Sequence, residues 1–300
     1  MASNIAPVKQ RTDDLTDEHK LQAQFALAAF ATIKAKNVGY VSIPITSGRR
    51  LYDYIEEKGF HSVEEARADH AAFFRNVMTP NFQDGIRVSN DWASRLDGAI
   101  VAPVEFEKHL RSHSQIDWGQ DDFMGMWIPL IKEKITQMIM INGWEYSNGS
   151  GEEYLQAALM QMGRGDRSNI TVNDEQGKPI NLEKGIKLLA DSFIDVTQRG
   201  IKARNMAETL GIILEAEQRF NREQTTGVPE SPRRQGAKPS AAPYNHAAVA
   251  AIGDQVRAIL RRDYPDVLPT LKKISSYDYS PLNALFRVRK DSTPAPVLAA

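Results

Sequence analysis

The chain has 300 residues, 42% of them hydrophobic and 25% charged, enough for one sizeable α/β domain with appendages or for one large and one small domain. Its 37 Lys and Arg nearly balance 38 Asp and Glu, so a net charge of −1 gives no electrostatic case for a nucleic-acid polymer or an anionic membrane as partner. The lack of cysteine excludes disulfides, thiolate metal sites and cysteine nucleophiles and fits a reducing compartment. No signal-peptide core occurs in residues 1–15 and no apolar run reaches the ~18 residues of a spanning helix, so a soluble, cytoplasmic protein is expected.

After the polar start, Thr16 to Lys36 turns helical, with an apolar stripe at Leu21, Phe25, Ala28, Ala29 and Ile33, and stops at Asn37 and Gly39. Residues 38–45 form a buried strand followed by a Thr-Ser-Gly-Arg-Arg turn. A helix from Leu51 ends at Gly59, and a second runs from His61 to Met78, with Ser62 and Glu65 spaced as a capping box. Residues 99–106 form a short strand that Pro103 ends. A polar stretch, 107–122, precedes a helix from Phe123 in which Pro129 sits in the first turn or marks a kink. Residues 136–143 form a third strand. A Trp-Glu-Tyr-Ser-Asn-Gly-Ser-Gly loop leads to a helix from Glu152 that Gly163 closes. Residues 168–172 are a candidate fourth strand before a turn.

A long helical stretch follows over 182–220, with Ile186, Leu189, Phe193 and Val196 in register and Gly200 interrupting it. Residues 221–244, rich in Pro, Gly, Ser and charge, read as a linker. A helix starts at His246, and Leu268 to Ile274 is a candidate for another. Strands alternating with helices predict an α/β fold, a parallel sheet flanked by helices in the Rossmann-like or flavodoxin-like manner. The organisation expected is a helical extension (1–37), the α/β domain (38–180), a helical segment (181–220), the linker (221–244) and a C-terminal helical segment (245–290).

Ligands of open parallel sheets bind at the carboxyl ends of the strands. Polar and small residues gather at three such ends: Tyr40-Val-Ser-Ile-Pro-Ile-Thr-Ser-Gly-Arg49, Ala102-Pro-Val-Glu105 and Gly143-Trp-Glu-Tyr-Ser-Asn-Gly-Ser-Gly-Glu-Glu-Tyr154. In the third, Gly149 and Gly151 allow close backbone approach, and the helix start favours an anion. A carboxylate in that first turn, Glu152 or Glu153, is expected to be held ionised, which covalent glycosyl transfer requires. Acidic residues also occupy first turns for stability alone.

These three segments, in this order, resemble the nucleoside 2-deoxyribosyltransferase superfamily, including its members that hydrolyse deoxynucleoside monophosphates. The family's first strand has the form Tyr-x-Ala-Gly-Pro-x-Thr-Gly, its second ends in an Asn-Pro-like pair matched loosely by Ala102-Pro103, and its third segment reads Gly-Trp-Glu-x-Ser-x-Gly-Ala-x-x-Glu-x-x-x-Ala, matched by Gly143 to Ala157. The resemblance covers roughly residues 38–165. It implies Glu153 as the nucleophile and Tyr40 as the residue that positions it. Ser147, where members acting on nucleosides tend to have Asp, implies contact with a 5′-phosphate. Together with Ser42, Pro44, Thr46, Ser47, Gly48, Arg49 and Gly149, it is expected to form the substrate and phosphate cradle.

The family's base-handling Asp is assigned here to Asp122, then Asp121. Asp122 stands five residues before Trp127 rather than three, and a helix cap or solvated turn is the structural alternative. Two departures stand out: Ile43 replaces a glycine and is expected to narrow the pocket or alter turnover, and Ser150 replaces an alanine.

Trp144 is expected to line the pocket mouth and Trp127 to lie in the core. His109, His113 and Asp117 share a helical spacing, but no His-Glu-x-x-His motif exists, and no metal is expected. Arg164 and Arg167 are candidates to reach a partner subunit. No dinucleotide or P-loop fingerprint is present.

The resemblance implies hydrolysis or transfer at an N-glycosidic bond of a small-molecule nucleoside or nucleotide, without a cofactor, in a homodimer or higher homo-oligomer. The alternative is a nucleotide-binding sensor that uses the same pocket without turnover.

Overall fold

Four short segments become the strands of one sheet: β1 (Val38–Ser42), β2 (Ala99–Val101), β3 (Gln137–Met140) and β4 (Thr171–Asp174). Their order is β2-β1-β3-β4 and every pair is parallel, with Tyr40 beside Val101 on one side and Met138 on the other. Helices flank the sheet, so the fold is α/β with a parallel sheet. The computed structural model describes residues 17–107, 120–162, 170–201, 246–267 and 269.

All five residues of β1 are buried, as expected where both faces of a parallel strand are covered. The two-residue period sends Val38 and Tyr40 into the larger core, and Val41 into a smaller cluster with Val88, Trp92, Ile139 and Ile141.

The described helices are α1 (Asp17–Ala31), α2 (Arg49–Lys58), α3 (Val63–Ala68), α4 (His70–Phe73), α5 (Thr79–Arg95), α6 (Gln120–Lys134), α7 (Asn148–Met162), α8 (Leu182–Gln198) and α9 (His246–Asp263). A π-helical turn, Phe74–Met78, joins α4 to α5. The expected single helix over 61–78 is therefore broken. Ser62 does cap α3, accepting from the Glu65 N–H, but the Asp69 carboxylate accepts from the Ala72 N–H and starts a new helix. The longest helix of the first half, α5, has no counterpart in the sequence reading. Pro80 sits in its first turn, directly after the π-helical turn.

The α1 stripe also falls elsewhere. Ala23 and Ala26 are buried, while Phe25 is 68% exposed, because α1 lies against α6 and brings Phe30 within 5.9 Å of the Trp127 ring. Strand β2 stops at Val101 and residues 103–107 turn helical, so Pro103 does end the strand. Pro129 lies inside α6 rather than in its first turn. Strand β4 overlaps the expected run only at Thr171 and Val172 and continues to Asp174, whose N–H donates to the Lys178 carbonyl across the turn at Gly177.

In α8, Ile186, Leu189, Phe193 and Val196 are buried as spaced, and Gly200, at φ 71, follows its end. Ile252, Val256 and Leu260 of α9 join the core that also holds Ala23 of α1 and Tyr154 of α7. Residues 202–245, including the expected linker, and nearly all of 268–290 lie outside the described residues. Among the described residues, no helix is long and apolar enough to cross a membrane.

Candidate active site

The strand order reverses between β1 and β3, so the segments leaving these two strands part to opposite sides and open a crevice at their carboxyl ends. Ser42 ends β1, Met140 ends β3, and α7 starts shortly after β3. Gly143 turns the chain at φ 85 into a 3-10 helix, Trp144–Tyr146. Ser147 is then extended, and its hydroxyl accepts from the Ser150 N–H at 3.4 Å, as a capping serine does. Helix α7 therefore begins at Asn148. Gly149 and Gly151 lie in its first turn rather than in a loop, and Glu153 lies in its second turn rather than its first.

Glu153 reaches the end of β1. Tyr40 Oη donates to its Oε1 at 2.5 Å and Ser42 Oγ donates to its Oε2 at 2.6 Å. Tyr40 and Ser42 are two residues apart on one strand and so face the same side. Both are 0% exposed, and Glu153 is 7% exposed. Burial raises the Glu153 pKa most; the bonds from Ser42 and Tyr40 oppose it, Glu107 adds to it, and the carboxyl ends at about 7 instead of 4.5. Burial therefore outweighs the two hydrogen bonds, and the carboxyl is held above the ordinary carboxylate range rather than below it. Burial, then the charge of Glu153, pushes the Tyr40 phenol well above 10, so it remains a donor.

Ser42, expected among the substrate-binding residues, forms part of the carboxylate's seat. Ile43 points to the other face, toward α5, where a Cβ on Gly85 would lie 2.6 Å from Ile43 Cδ1. The bulky residue in place of the family's glycine is accommodated by a glycine on α5, away from the Glu153 carboxylate.

A second buried carboxylate was not singled out from the sequence. Glu107 is 8% exposed and accepts from Trp127 Nε1 at 3.2 Å, and the Trp127 ring stands edge-on to Tyr40 at 6.0 Å. It is close enough to raise the pKa of both Tyr40 and Glu153. The expected base-handling residues, Asp121 and Asp122, fall in the first turn of α6, and their side chains lie outside the described residues.

The loop after β1 packs on the start of α7. Ser47 Oγ donates to Ser147 Oγ at 2.9 Å. Gly48 caps α2 at φ 79, and a Cβ there would meet Pro44 at 2.8 Å. The Arg49 side chain, 51% exposed, bonds Glu145 at 3.3 Å and stands 4.9 Å above the Tyr146 ring. Burial raises the Glu145 carboxyl despite Arg49.

Asn81 of α5, also unnoticed in the sequence, holds this loop. Its Nδ2 donates to the carbonyls of Pro44, Ile45 and Ser47 at 2.7, 3.1 and 3.1 Å, and its Oδ1 accepts from Arg50 Nε at 3.1 Å. Thr46 contributes a carbonyl that accepts from Arg67.

A cleft of about 250 Å³ opens beside this loop, lined by Pro44, Gly48, Arg49, Arg50, Asn81 and Asn142 among others. Glu153 and Tyr40 do not line it. Of the other expected site residues, Trp144 is 2% exposed and stacks on Tyr154 at 4.7 Å, so it is core rather than pocket mouth. Trp127 is core, as expected, at 1% exposure. His109, His113, Asp117, Trp118, Gly163, Arg164 and Arg167 lie outside the described residues. Among the described residues, no group of three His, Asp or Glu side chains is placed to hold a metal ion.

No family model matches this chain, and neither do any curated proteins or solved structures.

Proposed function

We propose that this protein cleaves the N-glycosidic bond of a nucleoside 5′-monophosphate through a covalent glycosyl–Glu153 intermediate. The observation that carries the reading is the Glu153 carboxylate held at the end of β1 with one hydroxyl on each oxygen. A carboxylate so oriented is suited to attack C1′. The C1′–N bond then breaks, its electron pair passes to the base nitrogen, and a nearby acid supplies a proton. Water attacks C1′ of the ester and restores the carboxylate. Glu107 is a third candidate for the proton-handling role beside Asp121 and Asp122, because its charge acts on both Tyr40 and Glu153. Ser47, Ser147 and Arg49, with the N–H groups at the start of α7, are suited to the 5′-phosphate. The same reading carries a homodimer or higher homo-oligomer, which sedimentation would measure.

One observation favours a second reading, nucleotide binding without turnover: the cleft does not reach Glu153, which is 7% exposed. The two are separated by incubating the protein with ribo- and deoxyribonucleosides, their 5′-monophosphates and dinucleotide cofactors, and following free-base release beside a Glu153→Ala control. Release by the wild type alone supports the glycosidase. Binding of one member without release from any supports the sensor.

A further inference from the structure

Two polar atoms on α7 are buried and have no hydrogen-bond partner among the described residues: Ser150 Oγ and Gln156 Oε1, on residues 2% and 4% exposed. Buried polar groups are nearly always paired, so two orphans on one helix need a cause. They stand three residues before and three after Glu153. At 3.6 residues per turn, each lies about 60° around the helix from Glu153, with Cβ atoms roughly 5–6 Å from its own. The third buried orphan, Ser89, lies on α5 against the other side of the sheet and does not join them.

Helical side chains tilt toward the N-terminus. Ser150 therefore leans toward the Ser147–Ser47 pair, and Gln156 leans toward Glu153. A sugar whose C1′ meets Glu153 and whose phosphate meets Ser47 and Ser147 would run along this row. Gln156 Oε1 needs a donor, while Ser150 Oγ both donates and accepts. Ser150 and Gln156 stand six residues apart, about 9 Å along the helix axis, too far for one hydroxyl to reach both. A vicinal pair can donate to Gln156 with one member and exchange a bond with Ser150 through the other. A 2′-deoxyribosyl group has only one ring hydroxyl and leaves one of the two atoms unpaired.

We propose that Ser150 and Gln156 form a subsite for the vicinal hydroxyls of a ribofuranosyl group, which makes the substrate a ribonucleoside rather than a 2′-deoxyribonucleoside 5′-monophosphate. The proposal rests on the placement of C1′ at Glu153 argued above.

The test compares AMP, GMP, CMP and UMP with their 2′-deoxy counterparts, for the wild type, Ser150→Ala and Gln156→Met. Two readouts are taken: kcat/KM for base release, and Kd by calorimetry. The wild type is expected to favour the ribo form of its preferred base by about 10- to 100-fold, the effect of one buried polar atom left unpaired. Ser150→Ala is expected to lose most of that preference chiefly by weakening the ribo form. A merely structural Ser150 would leave the ratio unchanged, because removing an orphaned hydroxyl harms neither sugar. That result, or a wild type that favours the deoxy form, overturns the proposal. If no base is released from any nucleotide, the glycosidase reading fails, and the Kd ratios decide the subsite alone. Failure to bind either sugar form overturns the subsite as well.

Discussion

Glu153 binds its proton more tightly in the folded protein than in the unfolded chain, with a pKa raised from 4.5 to about 7. Its contribution to stability is therefore fully present below about 4.5 and is lost as pH rises through about 7. The loss amounts to about 3 kcal/mol. Glu153→Gln removes this dependence, so its stability relative to the wild type should improve by that order between pH 4.5 and 8 in urea titrations. The same substitution should lower base release by at least about 10³-fold. An equal pH slope in both proteins would mean that Glu153 is not the buried acid drawn here.

Tyr40→Phe removes a bond that favours the ionised carboxylate, so the ascending limb of the kcat/KM–pH profile, near 7 in the wild type, should move upward. The Tyr40–Glu153 contact was expected only through the family resemblance, which pairs the two short segments that carry these residues; the hydrogen bond between them is in the structure. Glu107 and Asn81 were not legible. Each acts through residues far away in the chain, Glu107 with Trp127 and Asn81 with the loop after β1, and neither stands in a local pattern.

At the scale of elements, the loop after β1 has its shape imposed by α5. Three carbonyls converge on one carboxamide that is 6% exposed. Asn81→Ala should cost about 1–3 kcal/mol, since these carbonyls lose their donor and Arg50 loses its acceptor. The freed loop would no longer hold Ser47 against Ser147, so KM for a nucleoside monophosphate should rise more than kcat falls, and KM for the free nucleoside should rise less. A uniform loss of both constants for both substrates would assign Asn81 to stability alone. Helix α5 escaped the sequence reading because Pro80 and Gly85 are poor helix formers and its charges blur the apolar period. Its buried face is mixed, with Asn81, Gly85, Val88, Ser89 and Trp92, since one end serves a loop and the other covers a sheet. Strands β1 and β3 were legible because largely buried apolar runs need no period to be noticed.

Across the whole molecule, the question is whether α8 and α9 are appendages or part of the unit that holds the site. Ser192 of α8 donates to the Glu145 carbonyl at 2.9 Å, and Tyr146 donates to Asp195 of α8 at 2.9 Å, so the 3-10 helix before α7 is tied to α8. The closest approach is at Gly185, where a Cβ would fall 2.1 Å from Tyr154 Cζ. Tyr154 cannot readily yield: it is 1% exposed, stacked on Trp144, and bonded through its hydroxyl to the Asn181 carbonyl at 3.0 Å. Alanine would ordinarily improve a helix by about 1 kcal/mol over glycine. Here the overlap is too deep to relax locally, and overpacking of about 1–3 kcal/mol or more should win. Gly185→Ala should therefore lower the stability of the protein as a whole, with one cooperative transition seen equally by far-ultraviolet circular dichroism and by tryptophan fluorescence. Trp92, Trp127 and Trp144 lie on three different elements around the sheet, so an early fluorescence change without loss of helix would show α8 detaching alone. That outcome would make the C-terminal helices a separate body and remove their hold on the segment that leads into Glu153.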